Sequence, residues 1–270
     1  MPRKKIRGIF CKKTVFLFLT TILAKTKNMQ AWQKGIIVAI EPETNFTKKF
    51  FIQLPETENF DFIPGQFVTL DLPIHEQKNK RWRSYSIASV PNGSNIIELI
   101  IVLLERGAGT NYLFNEATVG TEFFLRGPQG KFTLPENIEK DIFLICTGTG
   151  IAPFRSMVQY IHQHQLPHQN IHLIFGCRKE TDGLYLKELR TLSKQEPGFY
   201  FHACFSRETD IKDEGYHTGY VHGIYEQLLA NDKKPAAFYL CGWKNMIDEA
   251  KERIMALGYE RKDIHLELYG

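Results

Sequence analysis

The chain has 270 residues, of which 43% are apolar and 24% charged, values that are ordinary for a globular protein with room for two well-packed domains. The net charge of +4 arises from residues 1–28, which hold eight Lys or Arg and no acid and leave 26 basic against 30 acidic residues in the remainder. This slightly acidic remainder argues against a nucleic-acid-binding surface.

The N-terminal segment contains an apolar run at residues 15–24 that is flanked by lysines, like the hydrophobic part of a signal peptide. The run is shorter than the roughly 20 residues that a membrane-spanning helix needs, and no A-x-A-like cleavage site follows it. Met29 stands immediately before the first strand-like run. We therefore expect residues 1–28 to be an extension in front of a true start at Met29. A disordered or membrane-touching extension is the alternative.

Short strand-like runs fill the chain from Trp32 to about Leu134 and are separated by turns such as Pro64-Gly65 and Gly127-Pro128. Regular strand spacing without long helices predicts a closed β-barrel, as a domain at residues 29–135. The predicted strands are GIIVAIE, KKFFIQL, GQFVTLDL, RSYSIAS, IIELIIVLL and TEFFLRG.

Arg83 and Tyr85 share one face of the fourth predicted strand, because alternate side chains of a strand point the same way. The planar guanidinium of Arg83 suits a phosphate, and the Tyr85 ring suits stacking on a heterocycle. Taken alone, Arg and Tyr on one strand more often form an ordinary solvent-exposed face. Two glycine-rich stretches favour a cofactor site, since small residues let backbone N–H groups approach a phosphate. They are Gly107-Ala108-Gly109-Thr110, before a helical turn, and Thr147-Gly148-Thr149-Gly150, between a strand and a helix.

Strands alternate with helices beyond residue 135. This alternation predicts a doubly wound parallel sheet at residues 136–270, with its ligand at the carboxyl ends of the strands. The predicted strands are DIFLIC, IHLIFGC, FYFHACF, AAFYLCG and HLELY, and the helices are expected at about 151–164, 184–194, 221–230 and 244–257.

The cysteines are dispersed along the chain and form no CxxC pair, which excludes a built-in iron–sulfur cluster of the 2Fe–2S type on ligand count. An odd, scattered set also indicates a reducing compartment, so a cytoplasmic location is expected. The histidines, including His162 and His164, have no second ligand cluster beside them, and no metal site is predicted. The five cysteines are Cys11, Cys146, Cys177, Cys204 and Cys241.

Six motifs follow one another along the chain: RSYS at 83–86, GAGTNYL at 107–113, GPQGKF at 127–132, GTGIAPFRSM at 148–157, FSRE at 205–208 and CGWKNM at 241–246. With these motifs in this order, about residues 32–270 resemble the ferredoxin–NADP reductase superfamily of flavoenzymes, in a form without an attached iron–sulfur domain. The resemblance implies a six-stranded antiparallel barrel that holds FAD, followed by an α/β domain that binds the nicotinamide nucleotide.

The resemblance also implies how the flavin is held. Tyr85 stacks beside the isoalloxazine, Ser86 hydrogen-bonds near its N5, and Arg83 neutralises the pyrophosphate. A pyrophosphate needs a cation and convergent N–H donors, so FAD is expected rather than FMN. The residues implied for FAD are Arg83, Ser84, Tyr85, Ser86, the ring-edging backbone of Ile100, Ile101 and Val102, the phosphate cradle of Ala108, Gly109 and Thr110, and also Thr149 and Tyr269.

The nucleotide half departs from the usual dinucleotide fingerprint, with Pro153 where a third glycine would stand. Ser206 and Arg207 offer a hydroxyl and a guanidinium that suit a 2′-phosphate, and the preceding strand has no acid at its tip. NADPH is therefore expected over NADH, although Tyr220 stands where relatives often have a second basic residue. The residues implied for the nucleotide are Gly148, Gly150, Pro153, Arg178, Ser206, Arg207, Tyr220, Cys241 and Gly242.

Three residues receive catalytic roles from the resemblance: Ser86, Cys241 and Glu267. Cys241 would lie close to the nicotinamide C4, although a small buried apolar residue is the alternative interpretation. Glu267 would assist proton transfer. Tyr269 is penultimate, whereas relatives place the aromatic residue that covers the flavin last. The expected reaction is hydride transfer between NADPH and flavin N5, followed by one-electron delivery to ferredoxin or flavodoxin.

A basic cluster of Lys78, Lys80 and Arg81 precedes the flavin motif. Complementary charge speeds encounter, so we expect this cluster to dock an acidic one-electron carrier; a solvated loop is the alternative. Two other functions stay open: a stand-alone reductase of an oxygenase or cytochrome, and a flavin-bound non-catalytic electron-transfer subunit or sensor. The nucleotide motifs disfavour the second, because a mere carrier needs no nicotinamide site.

Overall fold

The protein is described from a computed structural model that covers residues 31–211, 213–230 and 234–269. The extension at residues 1–28 and the expected start at Met29 lie outside the described residues. The described chain folds into a six-stranded antiparallel sheet followed by a six-stranded parallel sheet with helices on both faces. This confirms the predicted fold class.

The antiparallel sheet forms the first domain, with strand order β4-β3-β6-β1-β2-β5. The backbone N–H of Ala88 donates to the carbonyl oxygen of Glu98 over 2.8 Å, which joins the segment after β4 to β5 and closes the barrel. Fully buried side chains such as Ile37, Leu70 and Leu99 fill its interior. The elements are β1 (Gln33–Thr44), β2 (Thr47–Gln53), β3 (Phe67–Asp71), β4 (Trp82–Ser86), β5 (Ile96–Val102), α1 (Ala108–Asn115) and β6 (Glu122–Gln129).

The parallel sheet forms the second domain, with strand order β10-β9-β8-β7-β11-β12. Its apolar strands are buried between α2 and α3 on one face and α4 and α5 on the other. The elements are β7 (Asp141–Thr147), α2 (Ile151–His164), β8 (Ile171–Cys177), α3 (Leu186–Gln195), β9 (Phe199–Phe205), β10 (Tyr216–Thr218), α4 (His222–Leu229), β11 (Ala236–Trp243), α5 (Lys244–Ala256) and β12 (Ile264–Tyr269).

Two details of the second domain differ from the sequence prediction. Strand β10 was not predicted, because three residues are too short to show an alternating pattern. Helix α3 begins at Leu186 and not at residue 184, because Tyr185 has a left-handed backbone conformation with φ of 55°, which no α-helix accommodates. Both details lie in the half of the sheet formed by β8, β9 and β10, where the FSRE motif follows β9.

The two domains share one apolar cluster. Ala88, Ile100 and Phe132 of the barrel domain are buried together with Phe154 and Met157 of α2, and the rings of Phe132 and Phe154 lie 5.7 Å apart. The predicted boundary after residue 135 falls in the connection between β6 and β7. No helix among the described residues is both long and apolar enough to cross a membrane.

Candidate active site

Strand β4 presents the RSYS motif on two faces. The hydroxyls of Ser84 and Thr69 are hydrogen-bonded over 3.0 Å on one face, while Arg83 and Tyr85 alternate with Ser84. Tyr85 packs against the barrel core, and burial raises the pKa of its phenol to about 12. The phenol is therefore neutral, its ring is half-buried, and its stacking on the flavin stays a prediction.

Arg83 lies against the N-terminus of α1. A Cβ atom on Gly109 would stand 2.8 Å from Cγ of Arg83, so only glycine lets the helix approach this arginine so closely. The first backbone N–H groups of a helix have no partner within the helix, and Asn111 is the residue whose N–H bonds back to Gly107, over 2.9 Å. The N–H groups of residues 108–110 therefore have no partner within the helix and lie beside the Arg83 guanidinium. A pyrophosphate needs this combination of donors.

The Thr110 side chain works inside this turn. Its hydroxyl oxygen accepts the N–H of Leu104 over 3.1 Å and lies 3.1 Å from the carbonyl oxygen of Gly107. Its side chain is therefore occupied in shaping the loop. A phosphate contact at Ala108, Gly109 and Thr110 would use backbone groups, and this assignment stays a prediction.

The outer edge of β5 offers backbone groups beside β4. The backbone N–H of Glu98 donates to Ser89 Oγ over 3.0 Å, so the peptide group of Glu98 faces away from β2. Backbone direction alternates along an antiparallel strand, so the peptide groups of Ile100 and Val102 also face this edge, whereas those of Ile101 face β2. Of the three positions predicted to edge the flavin ring, Ile100 and Val102 are thus the better placed.

The three residues predicted to be catalytic meet where the domains touch. Ser86 Oγ donates a hydrogen bond of 2.9 Å to Glu267 Oε2, and Glu267 stands opposite Cys241 in the register of β12 with β11. Burial raises the pKa of the Glu267 carboxyl, and the bond from Ser86 partly opposes this. Burial, with the neighbouring Glu267 and Cys146, keeps the pKa of the Cys241 thiol well above its ordinary value. Cys241 is therefore a neutral thiol.

Tyr269 belongs to the same cluster. Its hydroxyl is buried, and burial together with Cys241 and Glu267 raises the pKa of the phenol well above its ordinary value. Its partner in the register of β12 with β11 is Trp243, which is 51% exposed. The role of Tyr269 toward FAD stays a prediction.

Two glycines allow the turn after β7 to contact the end of β11. A Cβ on Gly150 would lie 2.4 Å from the carbonyl oxygen of Cys241, and one on Gly242 would lie 2.5 Å from Thr147 Oγ1. Gly148, Thr149 and Gly150 form a tight turn that leads into α2. Pro153 falls in the first turn of α2, where a helix tolerates proline.

The residues predicted to bind the 2′-phosphate lie at the carboxyl ends of three neighbouring strands. The backbone N–H of Arg207, after β9, donates over 2.8 Å to the carbonyl oxygen of Arg178, after β8. Ser206 is tied in the same way to Cys177 over 3.0 Å. Tyr220, after β10, is 75% exposed. The structure brings all four predicted residues to one edge, with Arg178, Arg207 and Tyr220 exposed and Ser206 half-buried.

The basic cluster before β4 is less uniform than the sequence indicated. Lys78 and Lys80 are exposed on a single helical turn. Arg81 is instead paired through Nε with Asp71 Oδ1 at 2.7 Å. The carbonyl oxygen of Lys80 accepts a 3.0 Å hydrogen bond from Arg83, which joins this turn to the predicted pyrophosphate site.

The sequence did not predict a group of hydrogen-bonded polar residues between the domains: Glu98, Arg155, Tyr185 and Glu188. Arg155 Nη1 lies 3.0 Å from Glu98 Oε2, and the Tyr185 hydroxyl donates to Glu98 Oε1 over 2.6 Å. A single carboxylate in the apolar strand sequence IIELIIV was the available signal, because a buried charge requires a partner.

The residues present fit FAD on two observations: the space at Gly109 beside Arg83, which a Cβ would fill, and the half-buried Ser86–Glu267 pair at the domain boundary. When bound, FAD supplies the hydride and single-electron chemistry. Among the described residues, no cluster of three His, Cys, Asp or Glu is arranged to hold a metal ion.

Two protein-family models match the chain. Residues 35–134 match the oxidoreductase FAD-binding domain, and residues 144–252 match the oxidoreductase NAD-binding domain. The fold and the site thus define a two-domain flavoprotein oxidoreductase whose cofactors are FAD and a pyridine nucleotide.

The relatives place the chain within this class. It is 31% identical over 238 residues to ferredoxin–NADP reductase B of Sorangium cellulosum, covering 86% of this chain and 96% of the relative. It is 34% identical over 197 residues to the anthranilate 1,2-dioxygenase electron transfer component of Acinetobacter baylyi, covering 72% of this chain and 54% of that protein. The chain belongs to the ferredoxin–NADP reductase superfamily.

Solved structures agree with this assignment. The ferredoxin NADP⁺ reductase of Neisseria gonorrhoeae, solved with bound FAD and NADP, has a TM-score of 0.72 at 25% identity, covering 88% of this chain and 98% of the other. The Amycolatopsis cytochrome P450 reductase has a TM-score of 0.76 at 23% identity, over 88% of this chain and 70% of the other, and supports the fold alone.

Proposed function

We propose that this protein is an FAD-dependent ferredoxin (or flavodoxin)–NADP reductase. It takes a hydride from NADPH at the boundary of its two domains and passes electrons singly to a protein carrier. The observation that carries the proposal is the hydrogen bond from Ser86 Oγ to Glu267 Oε2, because it joins a hydroxyl of the barrel domain and a carboxylate of the nucleotide domain in one half-buried site.

Each residue of this cluster has a defined task in the proposal. Ser86 orients the flavin edge and, with Glu267, provides a path for a proton between the buried site and solvent. The raised pKa of the Glu267 carboxyl lets it hold a proton more readily than an exposed glutamate does. Cys241, as a neutral thiol, packs beside the nicotinamide without bringing charge to it.

The preference for NADPH rests on Arg178, Ser206 and Arg207. They lie together at the carboxyl ends of β8 and β9, with Arg178 and Arg207 exposed and Ser206 half-buried. Two guanidiniums and a hydroxyl suit a 2′-phosphate. Tyr220 adds an exposed aromatic ring for the adenine. NADH is the alternative nucleotide.

The docking of an acidic carrier is assigned to Lys78 and Lys80, which are exposed beside the loop that Arg83 holds. Arg81 was expected to share this role, but its guanidinium is compensated by Asp71, so its contribution is smaller. The same proposal places the protein in the cytoplasm, which is a reducing compartment.

A second candidate function is the reductase component of an oxygenase. Relatives with this function are named as electron transfer components of dioxygenases, and the chain spans 54% of one of them. The two functions share hydride uptake and differ only in the electron acceptor.

The proposal is tested by supplying the purified protein with NADPH and, separately, ferredoxin, flavodoxin and an oxygenase-type iron–sulfur protein. Rapid reduction of ferredoxin or flavodoxin is expected. Reduction of the oxygenase partner alone would favour the second function. If none of the three carriers is reduced, both functions are refuted.

A further inference from the structure

Arg155 of α2 contacts both domains with one guanidinium. Its Nη1 donates to the carbonyl oxygen of Ala88 over 2.8 Å and to Glu98 Oε2 over 3.0 Å in the barrel domain. Its Nε and Nη2 donate to the two carboxylate oxygens of Glu188 in α3, over 2.6 and 3.0 Å. The side chains of Arg155 and Glu98 are only 16% and 7% exposed, so the bond to the barrel domain is shielded from solvent; the Glu188 side chain is 33% exposed.

The partners of Arg155 lie next to the flavin-binding strands. Ala88 is two residues after Ser86, and Glu98 is two residues before Ile100. Arg155 itself lies in the first turns of the helix that starts directly after the Gly148–Gly150 turn. One side chain therefore links the strands predicted to hold the flavin with the turn predicted to hold the nucleotide.

Tyr185 braces the same junction from the nucleotide domain. Its hydroxyl donates to Glu98 Oε1 over 2.6 Å, and its backbone N–H donates to Glu43 Oε1 in β1 over 2.7 Å. The Arg155 guanidinium stacks 4.3 Å above its ring. Tyr185 keeps its left-handed backbone, with φ of 55°, which is the kind of strained conformation that persists when surrounding contacts determine it.

The positive charge of Arg155 is balanced by the carboxylates beside it. Burial opposes the Arg155 charge, but the hydrogen bonds that Arg155 donates to Glu188 and the charge of Glu98 raise its pKa above the ordinary value. Glu98 in turn has both carboxylate oxygens engaged, one by Arg155 and one by Tyr185. A planar guanidinium can serve two carboxylates and a carbonyl at fixed angles, which a lysine cannot.

We propose that Arg155 is a positioning residue for hydride transfer: its bonds to Glu98, Ala88 and Glu188 set the distance between the nucleotide-binding turn and the flavin-binding strands. The inference rests on the flavoprotein reductase reaction. It assigns Arg155 to the geometry between the cofactors and not to the binding of either one. Small displacements of reacting groups are costly, since about 1 Å can reduce a rate by about 100-fold.

The test compares Arg155→Met with Arg155→Lys, Glu98→Gln and a matched control, Arg253→Met. Arg253 also pairs with two carboxylates, Glu226 and Glu249, each at 2.8 Å, but within the nucleotide domain alone. Each holoprotein is assayed for FAD content, the Kd for NADP⁺, and the rate at which NADPH reduces the bound FAD.

A readout that does not depend on turnover is hydrogen–deuterium exchange at residues 97–102 and 184–189. For Arg155→Met we expect FAD content and Kd within about twofold of wild type, a reduction rate lower by about 10- to 100-fold, and faster exchange in both segments. Arg155→Lys and Glu98→Gln should show smaller losses of the same kind, and Arg253→Met should match wild type.

The proposal is overturned by a reduction rate within about twofold of wild type in Arg155→Met, or by a loss that follows FAD release. An equal loss in Arg253→Met overturns it as well. If Arg155→Met does not fold, the Arg155→Lys and Glu98→Gln variants decide the question by the same criteria. A wild-type protein that takes up no FAD refutes the proposed function itself, which separates the two failures.

Discussion

The hydroxyl of Ser86 and the carboxylate of Glu267 are joined by a hydrogen bond of 2.9 Å that crosses from the antiparallel barrel to the parallel sheet. The two residues are far apart in sequence, and neither sheet alone would bring them together. The bond exists because β4 and β12 end at the same domain boundary. It therefore depends on the packing of the two domains as well as on the residues of the site.

Glu267→Gln should change the pH dependence of stability. Burial raises the pKa of Glu267 above 4.5, so the folded state holds this proton more tightly than the unfolded chain does. Its contribution to stability is fully present below the unfolded pKa and is lost as pH rises through the folded pKa. Removing the titration should stabilise the variant at neutral pH relative to wild type. Urea unfolding at several pH values measures this, with Glu139→Gln, at an exposed site, as the control.

The same variant should slow turnover with a protein carrier, by roughly 100-fold if Glu267 moves a proton in the rate-limiting step. Steady-state assays with ferredoxin or flavodoxin measure the loss. Turnover equal to wild type would remove Glu267 from the proton path.

Gly109→Ala should weaken the retention of FAD. The added Cβ would stand 2.8 Å from Arg83 Cγ, so the arginine stem must move and carry the guanidinium away from the helix N-terminus. A charge-assisted hydrogen bond contributes about 1.5–3 kcal/mol, which corresponds to a rise in the FAD dissociation constant of roughly 10- to 100-fold. Dialysis of the holoprotein, followed by flavin fluorescence, measures it.

The matched control is Gly223→Ala in α4, where an added Cβ meets no atom within 4 Å. This control should retain FAD as wild type does and gain up to about 1 kcal/mol in stability from helix propensity. Equal retention of FAD by both variants would contradict a phosphate site at Gly109.

Arg207→Ala should raise the KM for NADPH far more than the KM for NADH. The loss of a charge-assisted contact, about 1.5–3 kcal/mol, corresponds to roughly 10- to 100-fold. NADH is the internal control, because it lacks the 2′-phosphate. A similar rise for both nucleotides would show that Arg207 does not read this group.

Lys78→Glu combined with Lys80→Glu should lower the second-order rate of carrier reduction. The wild-type rate should fall with ionic strength, since charges are screened beyond about 8 Å at physiological salt. The rate with a small neutral quinone should stay unchanged. The control is Lys194→Glu with Arg261→Glu, at two exposed sites on the nucleotide domain. If the rate of carrier reduction changes neither with ionic strength nor with the charge-reversing substitutions, Lys78 and Lys80 do not dock the carrier and belong to a solvated loop.

The sequence was sufficient for the features that depend on local pattern. Alternating apolar residues predicted the barrel strands, and the Gly148–Gly150 turn predicted the strand–turn–helix of the nucleotide domain. Strand β10 was missed because it is three residues long. The left-handed Tyr185 was missed because nothing local requires it.

The charged junction around Arg155 could not be predicted, for a physical reason. Its partners Glu98 and Glu188 come from different domains and become neighbours only after both domains fold and pack. The sequence held one indirect signal, a charged residue within an apolar strand or helix face, which demands a partner without naming it.

The most direct test of the account is anaerobic mixing of the FAD-loaded protein with NADPH that carries deuterium or hydrogen at the transferred position. We expect rapid loss of flavin absorbance, with a slower rate for the deuterated nucleotide, because the hydride passes where Ser86, Cys241 and Glu267 meet. Flavin absorbance that is unchanged by NADPH, in protein that retains FAD, would contradict it.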